Sequence, residues 1–494
     1  MQISFKTLLL SLLIAQMTAC SSDDLAPADT PVAENIQWEV CAEVASFECA
    51  SLSVPMDYSE PDGEQIDIAL TRLPASVTNT KGSLVLNFGG FGAEGVKVLQ
   101  EIALEGLIPE AISDVYDLVA FDPRGVGGST IVDCSEQGAG EENPYPASAD
   151  QITELFTDSE QVAIDCAAQV GHYLQHLGSI NVVRDMDLIR VALGEEALNF
   201  FGASAGTRSA ALYLQEFPES SGRVVLDASL PPESSIADLF VSGLPAQEQT
   251  LRNGLSLCSE DFPDCDAQML SSQLGDRANA LALEGSDSSR LELQLIDLVI
   301  GESQESPEFW MFAAEPVISY INTLDVTVLL DFISLFIEFE DPAELFEGED
   351  PGIIVEKAIV CADDAARPDV ASLISTFDEF NQLSNYFAES ALAQVAYCAG
   401  WPEALEPLAP LVTNTAPQSL VIGGTSDSLT LPEWSEDMAT QIGGVFVSSE
   451  HDGHTAVFLD KSPCLDTIVA EFFLEGTIPV LDGPVSATDE CDGN

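Results

Sequence analysis

Asn199-Phe200-Phe201-Gly202-Ala203-Ser204-Ala205-Gly206-Thr207 (NFFGASAGT) places one serine between two glycines directly after an apolar run. Leu198 to Phe201 reads as a buried strand, and Ser204 to Phe217 (SAGTRSAALYLQEF) repeats apolar residues at helical spacing. Gly-x-Ser-x-Gly at a strand-to-helix junction predicts a tight turn with the serine in a strained conformation, its Oγ above the strand ends and beside the positive end of the helix dipole. The competing reading is a serine that merely caps the helix. The pattern is short, so its surroundings must decide.

Working outward, Gly82 to Phe88 (GSLVLNF), Tyr116 to Phe121 (YDLVAF) and Arg223 to Asp227 (RVVLD) are short apolar runs expected of buried strands, while Gln65 to Leu73 (QIDIALTRL) alternates with period two. Helical spacing separates the first two runs around Val96 to Leu107. Such alternation implies parallel strands joined by crossover helices, hence an α/β, doubly wound, mostly parallel sheet. After Pro231-Pro232 the text turns helical, as in Leu291 to Ile300 and Asp325 to Phe339, and strand runs resume only at Gln418 to Gly424 and Gly444 to Ser448. We therefore expect a core of residues 36–231 and 413–494 interrupted by an inserted helical cap, 232–412.

The chain of 494 residues can bury a sizeable core, about two or three packed units by usual domain size. Lys+Arg 15 against Asp+Glu 83 leaves a formal charge of −68, which repels nucleic acid and anionic headgroups. The acid is spread among Leu, Ile, Val and Phe, so it reads as a hydrated surface on a folded protein, suited to a saline environment or simply to secretion.

Met1 to Ser22 (MQISFKTLLLSLLIAQMTACSS) has one lysine, an apolar stretch too short to span a bilayer, then small residues before a cysteine. This is a secretion signal, and Met17-Thr18-Ala19-Cys20 resembles a bacterial lipobox, so residues 1–20 are expected as a lipoprotein-type signal with Cys20 lipidated. A plain signal cleaved near Ala19 is the alternative. Residues 21–35 read as a tether, which places the protein at the bacterial cell envelope, touching the membrane only through its lipid.

Setting Cys20 aside, ten of the eleven cysteines remain, an even number that in an exported chain favours disulfides. Nearest neighbours pair as Cys41-Cys49, Cys134-Cys166, Cys258-Cys265, Cys361-Cys398 and Cys464-Cys491. No Cys-x-x-Cys pair or histidine cluster of zinc spacing occurs, so neither metal nor cofactor is expected.

A serine hydroxyl needs a base, and the base needs a carboxylate to fix its tautomer. Only His172, His176, His451 and His454 exist, and the chain order serine, acid, histidine on such a sheet excludes the first two. His454 is preferred because Gly453 frees the ring to reach the serine, and His451 is expected to face solvent. Asp427 lies just beyond the strand Leu420 to Ile422, and Glu433, Glu436 and Asp437 are rivals further into the next helix. Ala205 supplies one oxyanion N–H by position, and the loop Asn87 to Gly92 should supply another.

These pieces carry a resemblance. FGGFGAEG (Phe88 to Gly95), LVAFDPRGVGGST (Leu118 to Thr130) and FFGASAGT (Phe200 to Thr207) resemble the glycine loop, DPRGxGxS segment and nucleophile elbow of α/β-hydrolases in peptidase family S33. GGTSDSLTLPEW (Gly423 to Trp434) and DGHTAVFLDKSPC (Asp452 to Cys464), with the Cys361-Ala362-Asp363 and Cys398-Ala399-Gly400-Trp401 segments, resemble the tripeptidyl aminopeptidase-like branch with its TAP-like C-terminal module. The resemblance spans nearly the whole mature chain. Where the family usually has proline, which lacks an N–H, this chain has Phe91, so Gly90 is the better second oxyanion donor. Phe91, and Ala205 where the family often has an aromatic residue, are departures that bear on substrate preference.

The resemblance implies an exported serine hydrolase with a Ser204, His454, Asp427 triad that removes short peptides such as tripeptides, or amino acids, from free N-termini. Such an enzyme needs a carboxylate for the substrate ammonium, and Asp363 or Asp364 in the cap is the candidate. An esterase or lipase with the same triad and a non-catalytic surface binding protein are the alternatives. The oligomeric state is open.

Overall fold

The short apolar runs and the alternating Gln65 to Leu73 stretch build, among the described residues, one nine-stranded sheet in the order β1-β2-β3-β5-β4-β6-β7-β8-β9. The strands are β1 (Glu39–Val40), β2 (Glu48–Pro55), β3 (Gln65–Leu73), β4 (Ser83–Asn87), β5 (Asp117–Phe121), β6 (Leu198–Ala203), β7 (Ser221–Asp227), β8 (Ser419–Gly424) and β9 (Val445–Ser449). The computed structural model describes residues 36–132, 134, 143–257, 265–339, 341–346, 351–412, 419–481 and 483–486. Met1–Val32 and Ala33–Asn494 are separate units, and every described residue belongs to the second. No described helix is long and apolar enough to cross a membrane.

β1, β2 and β3 pair antiparallel, as do β3 and β5; from β5 through β4, β6, β7 and β8 to β9 every pairing is parallel. Asn87 faces Gly202, Ala203 faces Asp227, Asp227 faces Ile422, and Gly424 faces Ser449. The carboxyl ends of six parallel strands therefore share one edge, where chemistry on such sheets collects.

Successive strand residues point to opposite faces. Val85, Val119, Phe200, Leu226 and Val421 join one core with the helices Ser179–Leu193, Ala205–Glu216 and Pro432–Ile442. Leu84, Leu118, Phe201, Val225, Ile422 and Val447 join another with Gly95–Leu104 and Pro463–Glu475.

Between β7 and β8 the described residues contain helices and no strand. Several begin with a capping side chain: Ser235, Asp266, Ser286 and Asp369 each accept the backbone N–H three residues on. A boundary at 231/232 does not separate the packing units cleanly. Ile152 and Leu155 of the helix Ala149–Val170, assigned by sequence to the core, pack with Leu244, Leu373 and Phe380 of the cap. Conversely, Ile354, Val355 and Ile359 of the cap helix Pro351–Asp363 join the core beside the sheet. Each helix buries its apolar stripe against whichever surface the chain path brings to it.

Cys41–Cys49, Cys134–Cys166 and Cys361–Cys398 are disulfides, as the spacing predicts. Cys265 and Cys464 are also disulfide-bonded. Their expected partners Cys258 and Cys491 lie outside the described residues, as do Cys20, the signal segment and the tether.

Candidate active site

Ser204 sits between β6 and the helix Ala205–Glu216 with φ 49° and ψ −123°. A non-glycine residue there costs about 1–3 kcal/mol, so the surroundings must hold it. Ser204 N donates to Asp227 O at 2.9 Å, while Thr207 N and Oγ1 donate to Ser204 O at 2.9 and 2.6 Å. The glycines are steric necessities, since a Cβ on Gly202 would stand 2.5 Å from Gly206 O and one on Gly206 2.5 Å from Asn87 O. The Ser204 side chain makes no capping hydrogen bond, which removes the cap reading.

The glycine loop after β4 lies against this turn. A Cβ on Gly89 would stand 2.5 Å from Ala203 O and 3.2 Å from Ala205 N. Gly89 and Gly90 have φ of 94° and 74°, which suits glycine alone. Ala205 opens its helix, so its N–H has no intrahelical acceptor. Gly90 follows Gly89 in the adjoining loop.

Asp427 is buried in the loop after β8. Its Oδ1 accepts from Leu429 N and Thr430 N, both at 2.9 Å, and its Oδ2 accepts from Thr430 Oγ1 at 2.7 Å. His454 Nδ1 lies 2.9 Å from Asp427 Oδ2 and 3.1 Å from Thr430 Oγ1. Burial alone would raise the Asp427 pKa, but the bond and charge of His454 and the Thr430 bonds hold it below the usual aspartate value. Burial likewise works to lower the His454 pKa, yet the Asp427 bond and charge, helped by Glu305 and Asp227, raise it above the usual histidine value. No hydrogen bond joins Ser204 Oγ to His454; such bonds commonly tighten only around bound substrate.

The histidine loop is fastened from several sides. Asp227 Oδ2 accepts from Ala456 N and Val457 N, both at 2.8 Å, and the same residue's main-chain oxygen holds Ser204 N. Lys461 Nζ donates to His454 O at 2.7 Å, and His454 N donates to Glu305 O of the cap at 3.0 Å. Asp227 thus ties the Ser204 turn to the His454 loop, a contact that sequence reading missed. Its one signal was a carboxylate at the end of an apolar strand on the active edge.

His451 does not face solvent as expected. It is 0% exposed, with Nδ1 3.0 Å from Ser449 Oγ and its ring against Gly424, where a Cβ would stand 2.7 Å from Nε2. The loop turns inward against Gly424, and burial lowers the His451 pKa against the opposing pull of Asp227.

A cavity of about 480 Å³ opens between the glycine loop, the acid loop and the cap. Phe91, Leu230, Leu429 and Trp434 line it from the core, Phe240, Ile300 and Phe387 from the cap, and Asp297, Glu305 and Glu356 add carboxylates. Glu305 is open to solvent, yet surrounding protein raises its pKa against the opposing pull of His454. Asp297 accepts a hydrogen bond from Tyr386 OH, and burial raises its pKa.

Asp363 and Asp364 do not reach this cavity; they line a separate one of about 120 Å³. Asp363 is buried, accepts from Ser179 N and Oγ at 2.6 Å each, and lies 3.4 Å from Arg208 Nη1. Asp364 accepts from Ile236 N at 3.2 Å and Ala366 N at 2.7 Å. Arg208 lies beside Asp363, backbone donors hold Asp364, and neither carboxylate lines the larger cavity. Phe91 does line the main cavity, with Arg208 5.0 Å from its ring centroid. Among the described residues no group of three or more His, Cys, Asp or Glu side chains could hold a metal.

This sheet and elbow define an α/β-hydrolase. Residues 83–261 match the family described as alpha/beta hydrolase fold, and residues 384–485 match the TAP-like protein family. The chain belongs to the α/β-hydrolases, has a TAP-like C-terminal part and is a serine hydrolase. It is similar to the serine protease Hip1 of Mycobacterium tuberculosis, 25% identical over 456 residues that cover 87% of this chain and 86% of that one. It is also similar to a protein named carboxylesterase B of the same species, 28% identical over 485 residues, 92% of this chain and 90% of that one. A tripeptidyl aminopeptidase of Streptomyces lividans is 34% identical over 207 residues, 40% of this chain and 38% of that one.

Proposed function

We propose that the protein is an exported exopeptidase that releases short peptides such as tripeptides, or amino acids, from free N-termini. The observation that carries this reading is the cavity walled by Phe91 of the glycine loop, by Leu429 just past Asp427 and by the inserted helices, apolar on most walls but holding Asp297, Glu305 and Glu356. Apolar walls suit peptide side chains, and the carboxylates suit the substrate's α-ammonium, for which Glu305 and Asp297 replace Asp363 and Asp364. The names of two relatives, serine protease and tripeptidyl aminopeptidase, point the same way.

In this mechanism His454 takes the proton of Ser204 as Oγ attacks the carbonyl carbon, while Asp427 orients the ring and stabilises its cation. The N–H groups of Gly90 and Ala205 hold the oxyanion. His454 then protonates the leaving amine, and water, deprotonated by the same ring, releases the acyl group. The disulfides and the Hip1-like relatives support an exported or envelope-associated location, and lipidation at Cys20 would tether the protein there.

An esterase using the same residues is the second reading, favoured by the relative named carboxylesterase B. Chromophore release from free and N-blocked aminoacyl and tripeptidyl substrates, beside a short acyl ester, separates the two. Strong preference for the free N-terminus supports the exopeptidase. Equal rates on free and blocked peptides, or turnover of the ester alone, overturn it.

A further inference from the structure

Gln304 stands near the carboxyl end of the cap helix Asp287–Glu305, 4% exposed, and lines the cavity. Its Oε1 accepts a hydrogen bond from Ser428 Oγ at 2.9 Å, and Ser428 is itself buried and adjacent to Asp427. Its Nε2 is buried with no partner. A buried amide N–H left unpaired is costly, and such groups ordinarily have an occupant or a task. The next residue, Glu305, holds His454 N through its main-chain oxygen. Gln304 and Glu305 thus join the cavity wall to the loops that carry Asp427 and His454.

We propose that Gln304 binds substrate, its Nε2 donating to a main-chain carbonyl oxygen of the acyl-side peptide, the first one beyond the scissile bond. This rests on the exopeptidase reading and assigns that site a second polar contact. The chemistry selects a neutral acceptor. Oε1 is occupied by the Ser428 hydroxyl, which leaves Nε2 as the unpaired donor of a residue on the cavity wall. Asp297, Glu305 and Glu356 make the cavity acidic, which disfavours an anionic acceptor. The ammonium of the substrate is itself a donor and cannot pair with Nε2. A peptide carbonyl is neutral, carries only acceptor lone pairs, and recurs along any acyl chain that runs from Ser204 into the cavity. Ser428 is then a positioning residue that sets the face of the amide.

The test compares wild type with Gln304→Met, which keeps the length and removes both polar atoms, on a free tripeptidyl anilide and on a short acyl ester with only the scissile carbonyl. The anilide should lose roughly five- to thirtyfold in kcat/KM while the ester loses several-fold less, with the acid limb of the pH profile in the same place. In wild type, replacing the carbonyl next to the scissile one by a methylene should cost the anilide a similar factor, a measurement that needs no variant to fold. Ser428→Ala should move the same ratio in the same direction by less. Equal losses on both substrates, or a displaced acid limb, would mean that Gln304 only supports the Asp427 loop and would overturn the proposal. An undiminished rate with the methylene analogue would overturn it as well. If wild type cleaves no peptide at all, the exopeptidase reading itself has failed, which is a different result from equal losses on a peptide that is cleaved.

Discussion

Asp427→Asn removes the charge beside His454 while leaving an oxygen to accept from Leu429 N and Thr430 N. The native contact is 2.9 Å between Nδ1 and Oδ2, so the charge centres are about 4 Å apart; at an effective dielectric near 20 their attraction is about 4 kcal/mol, close to three pH units. That is an upper bound, because water and the remaining polar groups offset part of it. Burial works to lower the His454 pKa and the aspartate overcomes it, so without the charge the direction reverses. The acid limb of kcat/KM should lie above pH 6.5 in wild type and move down by one to three units in the variant. Turnover should fall by roughly 10³–10⁴, because an asparagine amide presents a donor to Nδ1 and favours the wrong tautomer. The Asp427 pKa is depressed in the fold, so its stabilisation is present above the unfolded value of 3.8 and lost as pH falls through the folded one. The melting difference between wild type and variant should accordingly close only in that acid range. Profiles of kcat/KM against pH on a short ester, with melting measured in parallel, check each part. A limb that stays in place while turnover falls would refute the assignment of that limb to His454.

Ser204→Ala should abolish turnover and fluorophosphonate labelling with the fold intact, and His454→Ala should be about as damaging; surviving labelling in either variant would move the site. Glu389 is 3% exposed with neither carboxylate oxygen partnered, and burial pushes its pKa up to about 7. Its charged form is disfavoured in the fold, so stability should drop as pH rises from 4.5 through about 7. Glu389→Gln should then raise stability by on the order of 2 kcal/mol at pH 8 and by little at pH 5, which thermal melts at the two pH values would show. With a formal charge of −68, added NaCl should raise the melting temperature and move the acid limb to lower pH by screening distant carboxylates, while the close Asp427 contact persists. A limb unmoved by salt while melting rises would confine the charge to stability.

The short local patterns were legible because their causes are local. Phe200 and Phe201 enter opposite cores because adjacent strand residues face opposite ways, and Gly202 and Gly206 are glycines because backbone lies 2.5 Å from where their Cβ atoms would be. Gly-x-Ser-x-Gly, Asp427 and His454 could be read in order because each follows a strand, and parallel strands deliver their carboxyl ends to one edge. The helical character of the insert was equally plain from its spacing.

Contacts between segments distant in sequence were not legible. Asp227 meets Ala456 N across 229 residues, and nothing in RVVLD distinguishes a clamp from a strand-end aspartate. His451 and His454 lie three residues apart in one loop, yet an inward turn against Gly424 buries the first ring and leaves the second to Asp427. Asp363 reads as an available cap carboxylate until Arg208, 155 residues earlier, is found beside it. Gln304 and Glu305 follow the helical run Leu291 to Ile300 with no pattern to single them out, and only tertiary packing brings one to Ser428 and the other to His454. The sequence by itself determined the strands β3 to β9, the helical character of the insert and the strained turn at Ser204, since these follow from steric and hydrophobic periodicity within a few residues; β1 and β2 went unread, and the helical run Asp325 to Phe339 is helix only over Thr327–Ile333. Tertiary structure alone decided which carboxylates are neutralised, which histidine is free to work and which side chains wall the cavity, because a charge takes its character from neighbours that the fold, not the chain order, supplies.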